Sequence, residues 1–191
     1  MKVAVTGGIG SGKTELCKWI EKEGNSVFSC DQIYTELLDS NEEFRSRILD
    51  AFPAAKDAEG RLDRKVLSAI VFEDRRRREQ LNGITHPLII KELLKQMDCC
   101  MTSFAEVPLL FEGGYEKLFD KVVIVMRDED DRIDAIMERS GLTYEEAKSR
   151  MKAQANYDKL PISKYFVVYN NGTLDDLHDK ALYIIDAATG R

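Results

Sequence analysis

The stretch Gly7-Gly8-Ile9-Gly10-Ser11-Gly12-Lys13-Thr14 constrains this chain more than any other. It fits G-x-x-x-x-G-K-[ST], and its surroundings fit as well. The apolar run Lys2–Thr6 precedes it and reads as a short buried strand. Lys13–Lys22 follows as a helix with Leu16, Trp19 and Ile20 on one face. Glycines let backbone N–H groups turn inward around phosphate oxygens, and the helix that starts there aims its positive end at the same anion. Lys13 then reaches the β- and γ-phosphates, and Thr14 offers its hydroxyl to Mg²⁺. The spacing therefore predicts a nucleoside triphosphate with Mg²⁺, cradled by Gly8, Ile9, Gly10, Ser11, Gly12, Lys13 and Thr14.

Further strand signals recur at Ser26–Cys30, Phe104–Val107, Lys121–Met126 and Tyr165–Tyr169, with a last helix over Asp175–Ala188. Alternating strands and helices predict an α/β fold with a parallel sheet, five strands here, and helices on both faces. Residues 42–100 are helical in pattern and read as an insertion between strands two and three. Residues 128–160 are charged and helical, broken at Gly141-Leu142-Thr143. Thr143 and Glu146 there match a capping box.

Composition narrows the class. The 191 residues carry 28 Lys plus Arg against 34 Asp plus Glu, a net charge of −6. That balance argues against a broad nucleic-acid or membrane-surface binder, but not against a small anion in a local basic pocket. The longest uncharged stretch, Gln80–Ile90, is half the ~20 apolar residues of a membrane span. Val3-Ala4-Val5 stops in glycines, unlike a signal peptide. Cys17, Cys30, Cys99 and Cys100 form no C-x-x-C pair, adjacent cysteines such as Cys99-Cys100 rarely bridge each other, and two histidines argue against a Cys/His zinc site. Reduced thiols in a cytoplasmic protein are expected. Arg75-Arg76-Arg77-Arg78 covers all sides of a helix and reads as solvated surface.

The phosphate loop is shared by kinases, GTPases and motor ATPases. No N-K-x-D guanine-reading motif is found, and Ala105-Glu106-Val107-Pro108 fits a Walker B strand end poorly. A short chain with a helical insertion and an Arg-bearing lid points to a small-molecule kinase. Asp31 follows the second strand, where parallel sheets place their crevice. It can orient the attacking hydroxyl and take its proton, hold a water on Mg²⁺, or cap the next helix.

At this level of detail the chain resembles the dephospho-CoA kinase family. The matching stretches are Thr6–Thr14, Asp31, Gly60-Arg61-Leu62-Asp63-Arg64, Val71-Phe72, His86-Pro87-Leu88-Ile89 and Val107-Pro108-Leu109-Leu110-Phe111-Glu112. Arg139, Arg150 with Gln154, and Asn170-Asn171-Gly172 complete the ordered set. The resemblance implies a P-loop NTPase core at 1–41, 101–127 and 161–191, a CoA-binding helical insertion at 42–100 and a lid at 128–160. It implies that MgATP phosphorylates the ribose 3′-hydroxyl of dephospho-CoA, giving CoA and ADP; neither nucleic acid nor membrane is expected as a partner, and no protein partner is inferred. Lys13, Asp31 and Arg139 would be catalytic, with Asp31 as base. Arg139, Arg150 and Asn171 would serve ATP. Arg64, His86, Pro108, Leu109 and Leu110 would serve the acceptor. Another P-loop kinase, such as a nucleoside monophosphate kinase, and a non-catalytic nucleotide switch are the alternative readings.

The chain departs from the family pattern in three places. Ser29-Cys30-Asp31 stands for the frequent Asp-x-Asp. Ala135 takes the first of two lid arginine places, with Arg132 as a candidate substitute on the same face as Arg139. Val168-Tyr169-Asn170 replaces Ile-Asp-Asn near the expected adenine site.

Overall fold

The computed structural model describes residues 1–152, 154, 157 and 160–190. They fall into two compact units, Met1–Ser29 with Gln96–Arg191, and Cys30–Lys95.

The first unit is built on a five-stranded parallel sheet. Its strands are β1 (Lys2–Gly7), β2 (Ser26–Ser29), β3 (Ser103–Glu106), β4 (Lys121–Met126) and β5 (Phe166–Tyr169), in the order β2-β3-β1-β4-β5. All pairings are parallel. Side chains alternate across a strand, so Val3 and Val5 share a face with Phe104, Val123, Val125 and Val168. Helices α1 (Lys13–Lys22) and α8 (Leu174–Thr189) close over that face with Leu16, Cys17, Ile20, Leu177, Ala181 and Ile184. The opposite face carries Ala4, Ala105, Val122 and Ile124, which are buried too. Burial on both faces explains why these strands read as apolar runs rather than as alternating patterns.

Local chemistry sets the ends. Thr173 caps α8: its hydroxyl accepts from the Asp176 N–H, and the Asp176 carboxylate accepts from the Thr173 N–H and hydroxyl. The strand expected at Ser26–Cys30 stops at Ser29, because Cys30 already opens α2 (Cys30–Ser40). Helices α6 (Glu129–Ser140) and α7 (Tyr144–Lys152) follow β4, and Gly141 ends α6 at φ 63°. The Thr143–Glu146 capping box forms: the Thr143 N–H donates to Glu146 Oε2 at 2.8 Å.

The second unit is helical: α2, α3 (Glu42–Ala51), α4 (Arg64–Glu73) and most of α5 (Arg75–Met97). Its one strand-like feature among the described residues is an isolated bridge between Lys56 and Leu62. The Gly60–Arg64 motif has a structural reading here. Gly60 turns the chain at φ 83°, Asp57 Oδ1 accepts from the Glu59 and Arg61 N–H groups, and Asp63 caps α4. Those backbone bonds, the Arg61 amide first, hold Asp57 below the usual carboxylate range. Arg75, Arg76 and Arg77 are exposed at the start of α5. No helix among the described residues is long and apolar enough to cross a membrane.

Candidate active site

Connections from β1 and β3, adjacent in the sheet, run in opposite directions, to β2 and to β4. A parallel sheet opens its crevice at such a switch point, outside the carboxyl ends of the strands. The loop Gly8–Gly12 lies there, between β1 and α1. Gly10 and Gly12 take φ 78° and 91°, and a Cβ at Gly10 would sit 2.6 Å from the Arg132 carbonyl oxygen. Left-handed backbone and close approach together require glycine. The Ser11 hydroxyl is buried in this loop without a hydrogen-bond partner among the described residues. An orphaned donor in a glycine cradle at a helix N-terminus suits a phosphate oxygen.

Thr14, in the first turn of α1, donates its hydroxyl to Glu106 Oε1 at 2.7 Å. Glu106 is only 9% exposed. Register explains the meeting: Glu106 pairs with Val5 in the ladder and so points to the α1 face, like Phe104 two residues before it. This corrects the reading of Ala105-Glu106-Val107-Pro108 as a poor acidic strand end. A buried carboxylate beside the loop threonine is an oxygen pair suited to a hard divalent cation. Cys17, in the next turn of α1, is pushed well up by burial first and the Glu106 charge second, so it is inert.

The segment after β4 embraces the same loop. The Ile9 backbone is held on both sides. Its carbonyl accepts from Arg132 Nε at 3.0 Å, and its N–H donates to Gln154 Oε1 at 2.6 Å. The Ile9 side chain packs on Ile133, Ile136 and Ala147 of α6 and α7. From the far side Asn170 Nδ2 donates to the Ser11 carbonyl at 2.9 Å. Tyr157 meets the Thr6 hydroxyl at 3.3 Å, and burial raises its phenol to about 12, so it stays protonated.

Beside the loop lies a cavity of about 470 Å³, within the usual range for small-ligand pockets. Gly8 and Ser11 line it together with Arg127, Arg132, Lys148 and Lys152, against the carboxylates of Asp128 and Glu129. Val125, Met126, Met151, Gln154, Tyr157 and Tyr169 complete the wall. The basic pocket that an acidic chain needs for an anion is thus local and comes mostly from α6 and α7.

Not every sequence candidate gathers here. Arg139 is exposed in the last turn of α6 and does not line the cavity; Arg150 is half-buried in α7 near Glu146. The Asn171 side chain accepts from the Asp128 N–H at 3.1 Å, while its neighbour Asn170 is the one on the loop. Pro108, Leu109 and Leu110 form the turn after β3, with Leu110 fully buried. Asp31, Arg64 and His86 belong to the helical unit. Asp31 is exposed in the first turn of α2, Arg64 pairs with Asp39, and His86 precedes Pro87 within α5.

The matching family decides what such a site belongs to. The dephospho-CoA kinase family model matches residues 1–176. A dephospho-CoA kinase of Fusobacterium nucleatum is 33% identical over 183 residues, covering 94% of each chain. The chain belongs to the dephospho-CoA kinase family. Structural neighbours agree. A Thermus thermophilus protein aligns with a TM-score of 0.80 at 31% identity, over 98% of this chain and 96% of its own. Dephospho-CoA kinase from Campylobacter jejuni aligns at 0.69 and 27%, over 100% and 99%.

Glu106, Arg132 and the Arg127/Lys148/Lys152 cluster stand at the loop or its cavity although sequence patterns gave them no role or named them only as substitutes, and Asn170, part of the matching Asn170-Asn171-Gly172 turn, takes the loop contact expected of Asn171. The signal for Glu106 was an acid at the end of a fully buried strand, which is costly unless partnered.

Proposed function

We propose that the chain transfers the γ-phosphoryl group of ATP to the ribose 3′-hydroxyl of dephospho-CoA, giving CoA and ADP. Membership of the dephospho-CoA kinase family, across residues 1–176, carries this reading. The phosphate loop with its orphaned Ser11 hydroxyl and the adjoining basic cavity support it physically.

The residues fit a divalent cation. The Thr14 hydroxyl and the Glu106 carboxylate would hold Mg²⁺, and the family resemblance adds Asp31 through a water. When bound, Mg²⁺ neutralises charge on the phosphate oxygens. The rest falls to the chain's own groups. Lys13 and the loop N–H groups of Gly8–Thr14 hold the phosphates in line. Asp31 orients the 3′-hydroxyl and accepts its proton. Arg132, already at the loop, presents a guanidinium toward the cavity. Arg139 and Arg150 join when the segment 128–160 closes as a lid and excludes water. Asn171 and its turn serve the adenine side. Arg64, His86 and the Pro108-Leu109-Leu110 turn, with the helical unit, receive the acceptor. The setting is the cytoplasm, where disulfides are transient rather than structural.

A coupled ADP-release assay with purified protein tests the assignment. Turnover with dephospho-CoA and none with nucleoside monophosphates is expected; the reverse preference overturns it. Mass spectrometry of the product then distinguishes 3′-phosphorylation from hydrolysis of ATP.

A further inference from the structure

We propose that Cys99 and Cys100 form a vicinal dithiol site, which a small-molecule disulfide oxidises to an intramolecular Cys99–Cys100 bridge. The pair lies between α5 and β3, outside helix and strand, with its Sγ atoms 3.3 Å apart. Cys99 is exposed and Cys100 is half-buried. The Cys100 thiol donates at 3.2 Å to the hydroxyl of Ser26, the first residue of β2, and that hydroxyl can rotate to donate to the thiolate once the proton leaves.

These contacts divide the labour. The Ser26 hydroxyl first, then the Cys99 thiol, favours the ionised form of Cys100 and holds it below the usual thiol range. The bond to Cys100 first, then desolvation, raises Cys99. Cys100 is thus the nucleophile, and Cys99 the protonated partner beside it that resolves. Cys17 is buried and raised, and so out of play.

The steps balance. The Cys100 thiolate attacks one sulfur of the reagent RSSR; that S–S bond breaks and RS⁻ leaves. Cys99 gives its proton to solvent and attacks Cys100 Sγ, expelling the second RS⁻. Both leaving groups take up protons, so RSSR is reduced to two RSH and the protein loses two hydrogens. The sulfurs must close to the ~2.04 Å of a disulfide, and because adjacent Cα atoms lie only ~3.8 Å apart the eight-membered ring also twists the Cys99–Cys100 peptide, which makes the bridge strained and readily reduced.

Intact mass and a free-thiol count after incubation with oxidised glutathione test the site. Two of the four thiols should vanish, the mass should fall by two hydrogens, and peptide mapping should place the bond at Cys99–Cys100. Cys99→Ser should accumulate a stable glutathione adduct on Cys100. Cys100→Ser should react at least about tenfold more slowly. A persistent adduct on the unmodified sequence, a bond to Cys17 or Cys30, or four surviving thiols overturns the proposal.

Discussion

Thr14 and Glu106, 92 residues apart in the chain, meet through a 2.7 Å hydrogen bond at the mouth of the β1–β3 crevice. In the proposed function this threonine hydroxyl and buried carboxylate are the groups that would hold the cation. Glu106→Gln keeps the shape and the bond but removes the charge. Turnover should fall by about 100-fold or more and the Mg²⁺ requirement should rise, with the thermal midpoint little changed. Thr14→Ser should retain most activity. Unchanged Mg²⁺ dependence in Glu106→Gln would assign the carboxylate to packing alone.

Arg132 and Gln154 grip the carbonyl and the N–H of Ile9, and with Ala147 packed on the Ile9 side chain this couples α6 and α7 to the loop. Arg132→Ala should reduce kcat by about tenfold to 100-fold, because a guanidinium on the transferring group is worth most in the transition state. Arg132→Lys should restore little, since an ammonium cannot fork. Steady-state kinetics with both variants checks this; an equal loss in ATP affinity would mean ground-state binding.

Asp31→Asn should remove most turnover and leave ATP affinity nearly unchanged, because a base matters to chemistry rather than to nucleotide binding. Equilibrium ATP titration beside the ADP-release assay separates the two. Near-normal turnover would leave Asp31 as an acidic residue serving the N-terminus of α2.

Leu16 is fully buried between the sheet and α8. Leu16→Ala should cost about 2–5 kcal/mol by losing apolar contact and leaving a cavity. Chemical denaturation should show a lower midpoint with an unchanged slope.

The Thr173–Asp176 capping box supplies a pH signature. The Thr173 amide first, then its hydroxyl, holds Asp176 below the usual carboxylate range. A depressed native value stabilises the fold above the unfolded pKa of about 4, and the gain is lost as pH falls through the lower native value. Thr173→Ala should lower the melting temperature by a few degrees at pH 7 and by less as pH drops below about 4. A difference constant with pH would remove the carboxylate from the cap.

The chain's local chemistry decides a good deal unaided. The phosphate loop is legible because glycine spacing, Lys13 and Thr14 act through adjacent backbone. The parallel α/β class is legible because apolar runs and amphipathic stretches report their own burial. The Thr143 cap is legible because a helix start needs partners within three residues. Tertiary structure alone decides which acid and which arginine meet the loop. Glu106 is paired with Thr14 only because parallel register sets Val5 beside it and α1 packs on that face. Arg132, rather than Arg139, touches Gly8-Ile9-Gly10 because Ile133 and Ile136 bury against Ile9 and leave Arg139 two turns away at the exposed end of α6. Such pairings depend on sheet order and helix docking, which link residues a hundred positions apart and leave no mark in sequence spacing.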